Sequence, residues 1–410
     1  MNSSKIINDP VFGFITVPGG LLLNIVKHPL MQRLGRIGQL GLAHVVYPGA
    51  HHTRLQHSLG AFHLTSEAIL TLQRKGIFIF DSEAEAVEAA ILMHDIGHGP
   101  FSHVLEHTLI SGINHEDISL MMMEQMNRDL GGQLALAIHI FRDDYPKRFL
   151  HQLISSQLDM DRLDYLCRDS FFTGVTEGAI GSARIIKMLN VADDRLVVEH
   201  KGIYSIENFI TSRRLMYWQV YLHKTAVAAE RLLVNMLLRA KELRMAGQDV
   251  FAPPQLDYFL RQEVTCQRFS EDPNALYYYG QLDDSDLWSA MKVWQHHADR
   301  VLAMLATALL NRRLMKVEVY DEQKPMPAER PAELMAMLAR QLGMDDEQVG
   351  YFLSQVTVGK AAYNANDDQI DILEQDGSLR DIAELSPLLS QQRLAQEPRK
   401  HYLCYYRLLN

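Results

Sequence analysis

Residues 206 to 246 contain neither proline nor glycine, and their apolar positions recur at helical spacing, so this stretch is one long helix or two consecutive ones. Helical periodicity dominates the first three quarters of the chain, which makes the fold mainly α. A helix is expected from about Arg54 to Gln73, closed by Gly76. Another follows Asp81, with Ser82 and Glu85 as a capping box and Gly97, Gly99 and Pro100 as its stop, which puts His94-Asp95 in its last turn. A third should carry Asp161 through Asp169. The segment RLVVEHKGIYSI (195–206) reads as a β-hairpin turning at Lys201-Gly202. Past residue 311 strand-like runs appear (LMKVEVYD, VTVGKAAY, QIDILEQDG, KHYLCYYRLL), with a helix from Pro331 to Gly343. The expected organisation is a helical body over 1–310 and a small α+β lobe over 311–410, with Pro253-Pro254 as a second candidate hinge.

No run of eighteen apolar residues is present and the start, MNSSKIINDP, lacks an export pattern, so the expectation is a cytoplasmic protein with no membrane partner. Cys167, Cys266 and Cys404 are scattered, which disfavours a disulfide framework or a thiolate metal site. A net charge of −10 has the wrong sign for a protein that wraps duplex nucleic acid, so a polyanionic ligand needs a local arginine cluster. Ten of the 18 histidines lie between His44 and His115. Such crowding of imidazole points to metal binding or proton transfer, although each of them alone could be a surface residue.

Adjacent helical side chains diverge by about 100°, so His94 and Asp95 can share an ion only if ligands from other helices complete the set. His57, in HHTRLQHSLG, and Asp161, in LDMDRLDYLCRD, are the candidates, and two imidazoles with two carboxylates suit Mn, Fe, Co, Ni or Zn. Arg54, three residues before His57, shares its helix face and can grip a phosphoryl group. Asp161, Tyr165 and Asp169 follow one another at i, i+4 and i+8. The same stretch also suits a solvated, salt-bridged helix of Asp161, Arg162, Asp164, Arg168 and Asp169. The glycines of HDIGHGPFSH can return His98 and His103 towards His94, and His115 can join them as acid or base.

These motifs resemble those of the HD-domain metal-dependent phosphohydrolases, in their pattern H…HD…D. Within that family the chain looks like the deoxynucleoside triphosphate triphosphohydrolase branch, through PLMQRLGRIGQLG, YPGAHHTRLQHSLG, HDIGHGPFSH, DMDRLDYLCRD and SRRLMYWQVYLHK. The resemblance implies an HD-domain helical body, with His57, His94, Asp95 and Asp161 holding one divalent transition metal and with Mg as a second ion that can accompany the triphosphate. It implies that Arg54, Arg162 and Arg213 contact the triphosphate, and that His103 acts as acid near the α-phosphorus with His98, Glu106 and His115 in support. Gln39 and Asp169 would read the sugar 3′-hydroxyl, and Tyr165 and Tyr221 would pack under the deoxyribose.

The implied reaction releases deoxynucleoside and inorganic triphosphate from dGTP and other dNTPs, in a homo-oligomer, dimer or tetramer. Lys27 and Gly35 stand where animal relatives carry an aspartate and an arginine of a guanine-reading regulatory pocket, so GTP activation of that kind is not expected. Two rival readings use the same pocket. One is hydrolysis of another nucleotide (an alarmone, a monophosphate or a cyclic nucleotide), and the other is non-catalytic binding of nucleotides or single strands, against which the net charge speaks.

Overall fold

The computed structural model describes residues 3–101, 104–359, 363, 369–386 and 399–407. The chain is mainly helical, as its periodicity requires, with small sheets at the amino terminus and in the last quarter. Strands Lys5–Asp9 and Gly13–Val17 form the opening hairpin, whose turn is tied by Asp9 Oδ1 accepting from the Val11 and Phe12 N–H groups, each at 2.9 Å.

Three helices build the centre. Arg54–Arg74 begins at a capping box in which Thr53 and Gln56 satisfy each other's backbone donors. It packs against Asp81–Met93 and Met160–Thr173. The end of Asp81–Met93 runs Ala89, Ala90, Ile91, Leu92, Met93 with no solvent exposure, so it is apolar all round and can only be a core helix. Its start differs from the expected Ser82/Glu85 box: the helix begins at Asp81, and the Glu83 carboxylate accepts from the Phe80 N–H at 2.9 Å. Only this half of a capping box forms, because extended Phe80, whose side chain has no acceptor, and not Ser82, is the last non-helical residue. Met160–Thr173 is capped by Asp159, which accepts from the Arg162 N–H at 2.7 Å, and stops at Gly174 with φ of +75°.

The long glycine-free stretch is two helices, Ile203–Met216 and Lys224–Met245, joined by a π-helical turn at Tyr217–Tyr221. The hairpin expected at Lys201-Gly202 is absent. Strand Arg195–Glu199 pairs backwards with Leu189–Ala192 through Asp193 and Asp194, which take φ of +49° and +58° as a primed two-residue turn requires, and the chain then passes straight into helix 203–216. Acidic residues supplied the left-handed turn, whereas Gly202 is needed for close packing: a Cβ there would lie 2.6 Å from Val198.

In the last quarter, strands Lys316–Tyr320, Lys400–Tyr405 and Leu353–Val358 form an antiparallel sheet in that spatial order, flanked by helix Arg330–Leu342. Strand Asp371–Leu373 instead adds in parallel to Arg195–Glu199 and carries Leu379–Asp381 at its edge. No described helix is long and apolar enough to cross a membrane.

Candidate active site and metal centre

Helix 54–74 supplies His57, the carboxyl end of helix 81–93 supplies His94 and Asp95, and the first turn of helix 160–173 supplies Asp161. Their donor atoms converge. His57 Nε2 lies 3.2 Å from His94 Nε2 and 3.0 Å from Asp161 Oδ1, and His94 Nε2 lies 3.5 Å from Asp161 Oδ1. Asp95 closes the group, its oxygens 3.4 Å from His94 Nε2 and 3.7 Å from His57 Nε2. Four donors each about 2.1 Å from one transition ion would stand roughly 3.0 to 3.4 Å apart, so the spacing fits a divalent ion of the nitrogen- and oxygen-loving class.

Both imidazoles are oriented for that task. His57 Nδ1 faces Asp164 Oδ2 at 2.6 Å and His94 Nδ1 faces the Ile91 carbonyl at 2.7 Å, so each ring donates from Nδ1 and keeps the Nε2 lone pair for the centre. Asp164 is itself held by Arg168, through Nε at 2.9 Å and Nη2 at 2.9 Å, and Arg168 reaches Asp9 of the opening hairpin at 2.7 Å. This chain of charges is buried, which rules out the solvated reading of Asp164, Arg168 and Asp169.

Crowding of acceptors around the rings has an electrostatic signature. Burial disfavours the His57 imidazolium, but hydrogen bonds to Asp161 and Asp164 outweigh it and raise its pKa to about 10. Burial likewise opposes ionisation of Asp161 and Asp95, yet the neighbouring histidines, and Arg54 beside Asp95, hold both carboxyls well below the ordinary range. In the ion's absence protons occupy the positive positions that a cation takes when bound.

The flanking residues fall into two groups. On one side, Arg54 Nη1 donates to Asp95 Oδ2 at 2.5 Å, and His98 Nε2 stands 3.4 Å from Asp95 Oδ1. The His98 ring stacks on His115 with centroids 3.9 Å apart, and His115 Nδ1 meets Glu106 Oε1 at 3.1 Å. Burial and the Arg54 charge push the His98 pKa down to about 3, so its ring is neutral at physiological pH. His103 lies outside the described residues.

On the other side, Asp169 accepts from Tyr221 Oη at 2.6 Å and pairs with His52 Nε2 at 2.7 Å, while the Tyr165 and Tyr221 rings meet edge to face at 6.0 Å. Arg213 donates to Tyr217 Oη at 3.0 Å and to Gln157 Oε1 at 3.1 Å, and Arg162 Nε donates to the Ser156 carbonyl at 2.6 Å. Gln39 holds its backbone against His52, and its buried Oε1 has no hydrogen-bond partner among the described residues. A buried amide oxygen left without a donor is costly unless a ligand hydroxyl supplies one.

Sequence reasoning did not single out His52, Asp164, Arg168 or Asp9 as parts of the site. The i, i+4 spacing of Asp164 and Arg168 was the available signal, but spacing alone does not separate a buried brace from a surface ion pair. Asp284 was also missed: its carboxylate accepts from the Gly38 N–H at 2.9 Å and the Phe101 N–H at 3.2 Å, joining the segments that carry these two residues.

The chain is similar to known proteins over most of its length. The HD domain family model matches residues 54–169, and the HD associated region model matches residues 180–257. A solved phosphohydrolase from Bacteroides thetaiotaomicron is 60% identical, covers 99% of this chain and 100% of its own, and superposes with a TM-score of 0.95. The Bacillus subtilis protein YwfO is 28% identical over 99% of this chain and 93% of its own. The deoxynucleoside triphosphate triphosphohydrolase of Homo sapiens is 27% identical over 59% of this chain, and the match spans 45% of that enzyme. With these four convergent side chains inside the matched region, the chain belongs to the HD-domain phosphohydrolases.

Proposed function

We propose that the protein hydrolyses deoxynucleoside triphosphates to deoxynucleoside and inorganic triphosphate. The observation that carries this reading is the line of Asp161, Tyr165 and Asp169 along one helix face. Asp169 stands two turns, about 12 Å of axial rise, beyond the metal-site carboxylate, and it is fixed by His52 and Tyr221. A carboxylate with two partners keeps lone pairs free for a sugar hydroxyl. The perpendicular Tyr165 and Tyr221 rings, with centroids 6.0 Å apart, form an apolar corner beside it against which a deoxyribose would pack.

A divalent ion held by His57, His94, Asp95 and Asp161 would supply Lewis acidity to a phosphoryl oxygen and to water. The protein's own groups do the rest. Arg54 offsets charge developing at the α-phosphoryl oxygens, and Arg162 and Arg213 hold the remaining phosphates. Water adds to the α-phosphorus, the bond from that phosphorus to O5′ breaks, and the departing alkoxide takes a proton from a general acid, the role that the resemblance gives His103. The neutral ring of His98, stacked on His115 and backed by Glu106, orients that side of the site.

The test is incubation with each dNTP and each ribonucleotide in the presence of Mn²⁺, with separation of the products. Equal amounts of deoxynucleoside and triphosphate are expected, with ribonucleotides at least about tenfold slower. Release of pyrophosphate or orthophosphate, or equal turnover of GTP and dGTP, would overturn the reading.

A further inference from the structure

Phe101, in the loop that follows Asp95, has a left-handed backbone with φ of +55° and is buried. A bulky side chain takes that conformation only where its surroundings impose it, and such residues collect at functional sites. Here the surroundings are one face of helix Asp284–Trp294. Asp284 Oδ1 accepts from the Phe101 N–H at 3.2 Å. Trp288, one turn further on, meets the Phe101 ring edge-on with centroids 5.6 Å apart. Gly41 packs on the Phe101 backbone, where a Cβ would lie 3.6 Å from it.

The second oxygen of Asp284 is spent on the segment that carries Gln39. Oδ2 accepts from the Gly38 N–H at 2.9 Å, an approach so close that a Cβ on Gly38 would stand 3.3 Å from it. The other edge of this segment is paired to the start of the metal-site helix: the Arg54 N–H donates to the Ile37 carbonyl at 3.0 Å, and the Gln39 N–H to the His52 carbonyl at 2.9 Å. Gln39 is thus set between two supports, and its buried Oε1 has no donor among the described residues. A carboxylate suits this junction because it offers one acceptor to each N–H, whereas the isosteric amide offers a single oxygen. Asp284 also feels the charge of Arg54, the arginine that grips Asp95, so the junction lies beside the catalytic pocket.

We infer that Asp284 is a positioning residue for sugar recognition: by joining the Gln39 segment to the loop that follows the metal ligands, it fixes where the Gln39 amide oxygen meets a substrate's 3′-hydroxyl. The inference rests on the deoxynucleotide reading above. It adds that the preference for a 3′-hydroxyl is set in part by a residue whose two oxygens are both spent on backbone.

Turnover of dTTP and of its 2′,3′-dideoxy analogue by the Mn²⁺-loaded protein gives that preference as a ratio of kcat/KM values, which does not depend on the fraction of protein correctly folded. Asp284→Asn should lower the ratio about tenfold, the cost of one misplaced hydrogen bond. Trp288→Phe, which loosens the junction and keeps the carboxylate, should lower it less. In Gln39→Ala the ratio should already be low, and adding Asp284→Asn should lower it no further, because both act on one contact. An unchanged ratio in Asp284→Asn, or losses that add in the double variant, would overturn the inference. Calorimetry with thymidine and 3′-deoxythymidine separates it from the substrate reading. No turnover of either triphosphate, with a preference for thymidine that Asp284→Asn removes, would discard the reaction and keep the positioning role. Turnover of dTTP with a ratio indifferent to Asp284 would do the reverse, and neither turnover nor thymidine binding would overturn both.

Discussion

The 2.6 Å contact from His57 to Asp164 shows how much of the metal centre lies in residues that would not touch the ion. Asp164 fixes the tautomer and rotation of the His57 ring, so Asp164→Asn should weaken metal affinity roughly 10- to 100-fold, read by competition against a chromophoric chelator. An unchanged affinity would mean that the ring is oriented by something else. The raised pKa of His57, about 10 in the ion-free protein, has its own consequence. The ring is protonated at pH 7, so metal uptake must expel about one proton and affinity must rise with pH between about 6 and 9. Calorimetry in buffers of different ionisation enthalpy checks this, and proton-neutral uptake contradicts it. At this scale the sequence was informative where spacing carries chemistry: His57, His94, Asp95 and Asp161 meet as their positions on helices implied. It was silent on Asp164 and Arg168, because burial, which converts an ordinary i, i+4 pair into an anchor, is decided by the opening hairpin through Asp9.

The helices hold these residues by close approach. Gly60 sits one turn beyond His57, and a Cβ there would lie 1.9 Å from Asp164 Oδ1 and 2.2 Å from Arg168 Nη2. Gly60→Ala should therefore lower both stability, by about 1–3 kcal/mol, and metal affinity, measured by urea denaturation and metal titration. A variant with unaltered affinity would show that helices 54–74 and 160–173 tolerate separation.

In the last quarter, the bidentate grip of Arg330 on Glu318, at 2.7 and 3.0 Å, ties helix 330–342 to its sheet and lowers the Glu318 pKa from 4.5 to about 2. A depressed carboxyl contributes stability above its unfolded pKa that is lost as pH falls towards the folded one. Glu318→Gln should thus cost at most about 1 kcal/mol at pH 7 after solvent screening, and the difference should fade between about pH 4.5 and 2. A gap independent of pH would assign the loss to packing. Helix existence was readable from periodicity, whereas the misplaced hairpin and capping box came from local chemistry: Asp193-Asp194 take the left-handed turn that residue preferences give to glycine, and the helix starts from Phe80, whose side chain gives no cap at all.

Across the whole molecule, segments far apart in sequence converge on one pocket. Asp284 ties the Gln39 and Phe101 loops together, while Arg33 donates to the Leu282 and Ile96 carbonyls and Tyr279 donates to the Gly97 carbonyl, two residues after Asp95. Such braces use backbone groups, which every residue has, and so leave no sequence pattern. The central claim is that one ion is held by side chains from three helices. Anomalous diffraction from Mn²⁺-loaded crystals tests it most directly. One peak is expected, about 2.0–2.2 Å from His57 Nε2, His94 Nε2 and oxygens of Asp95 and Asp161. A peak among His98, Glu106 and His115, the other described group of metal-capable side chains, or no peak between the three helices, would contradict it.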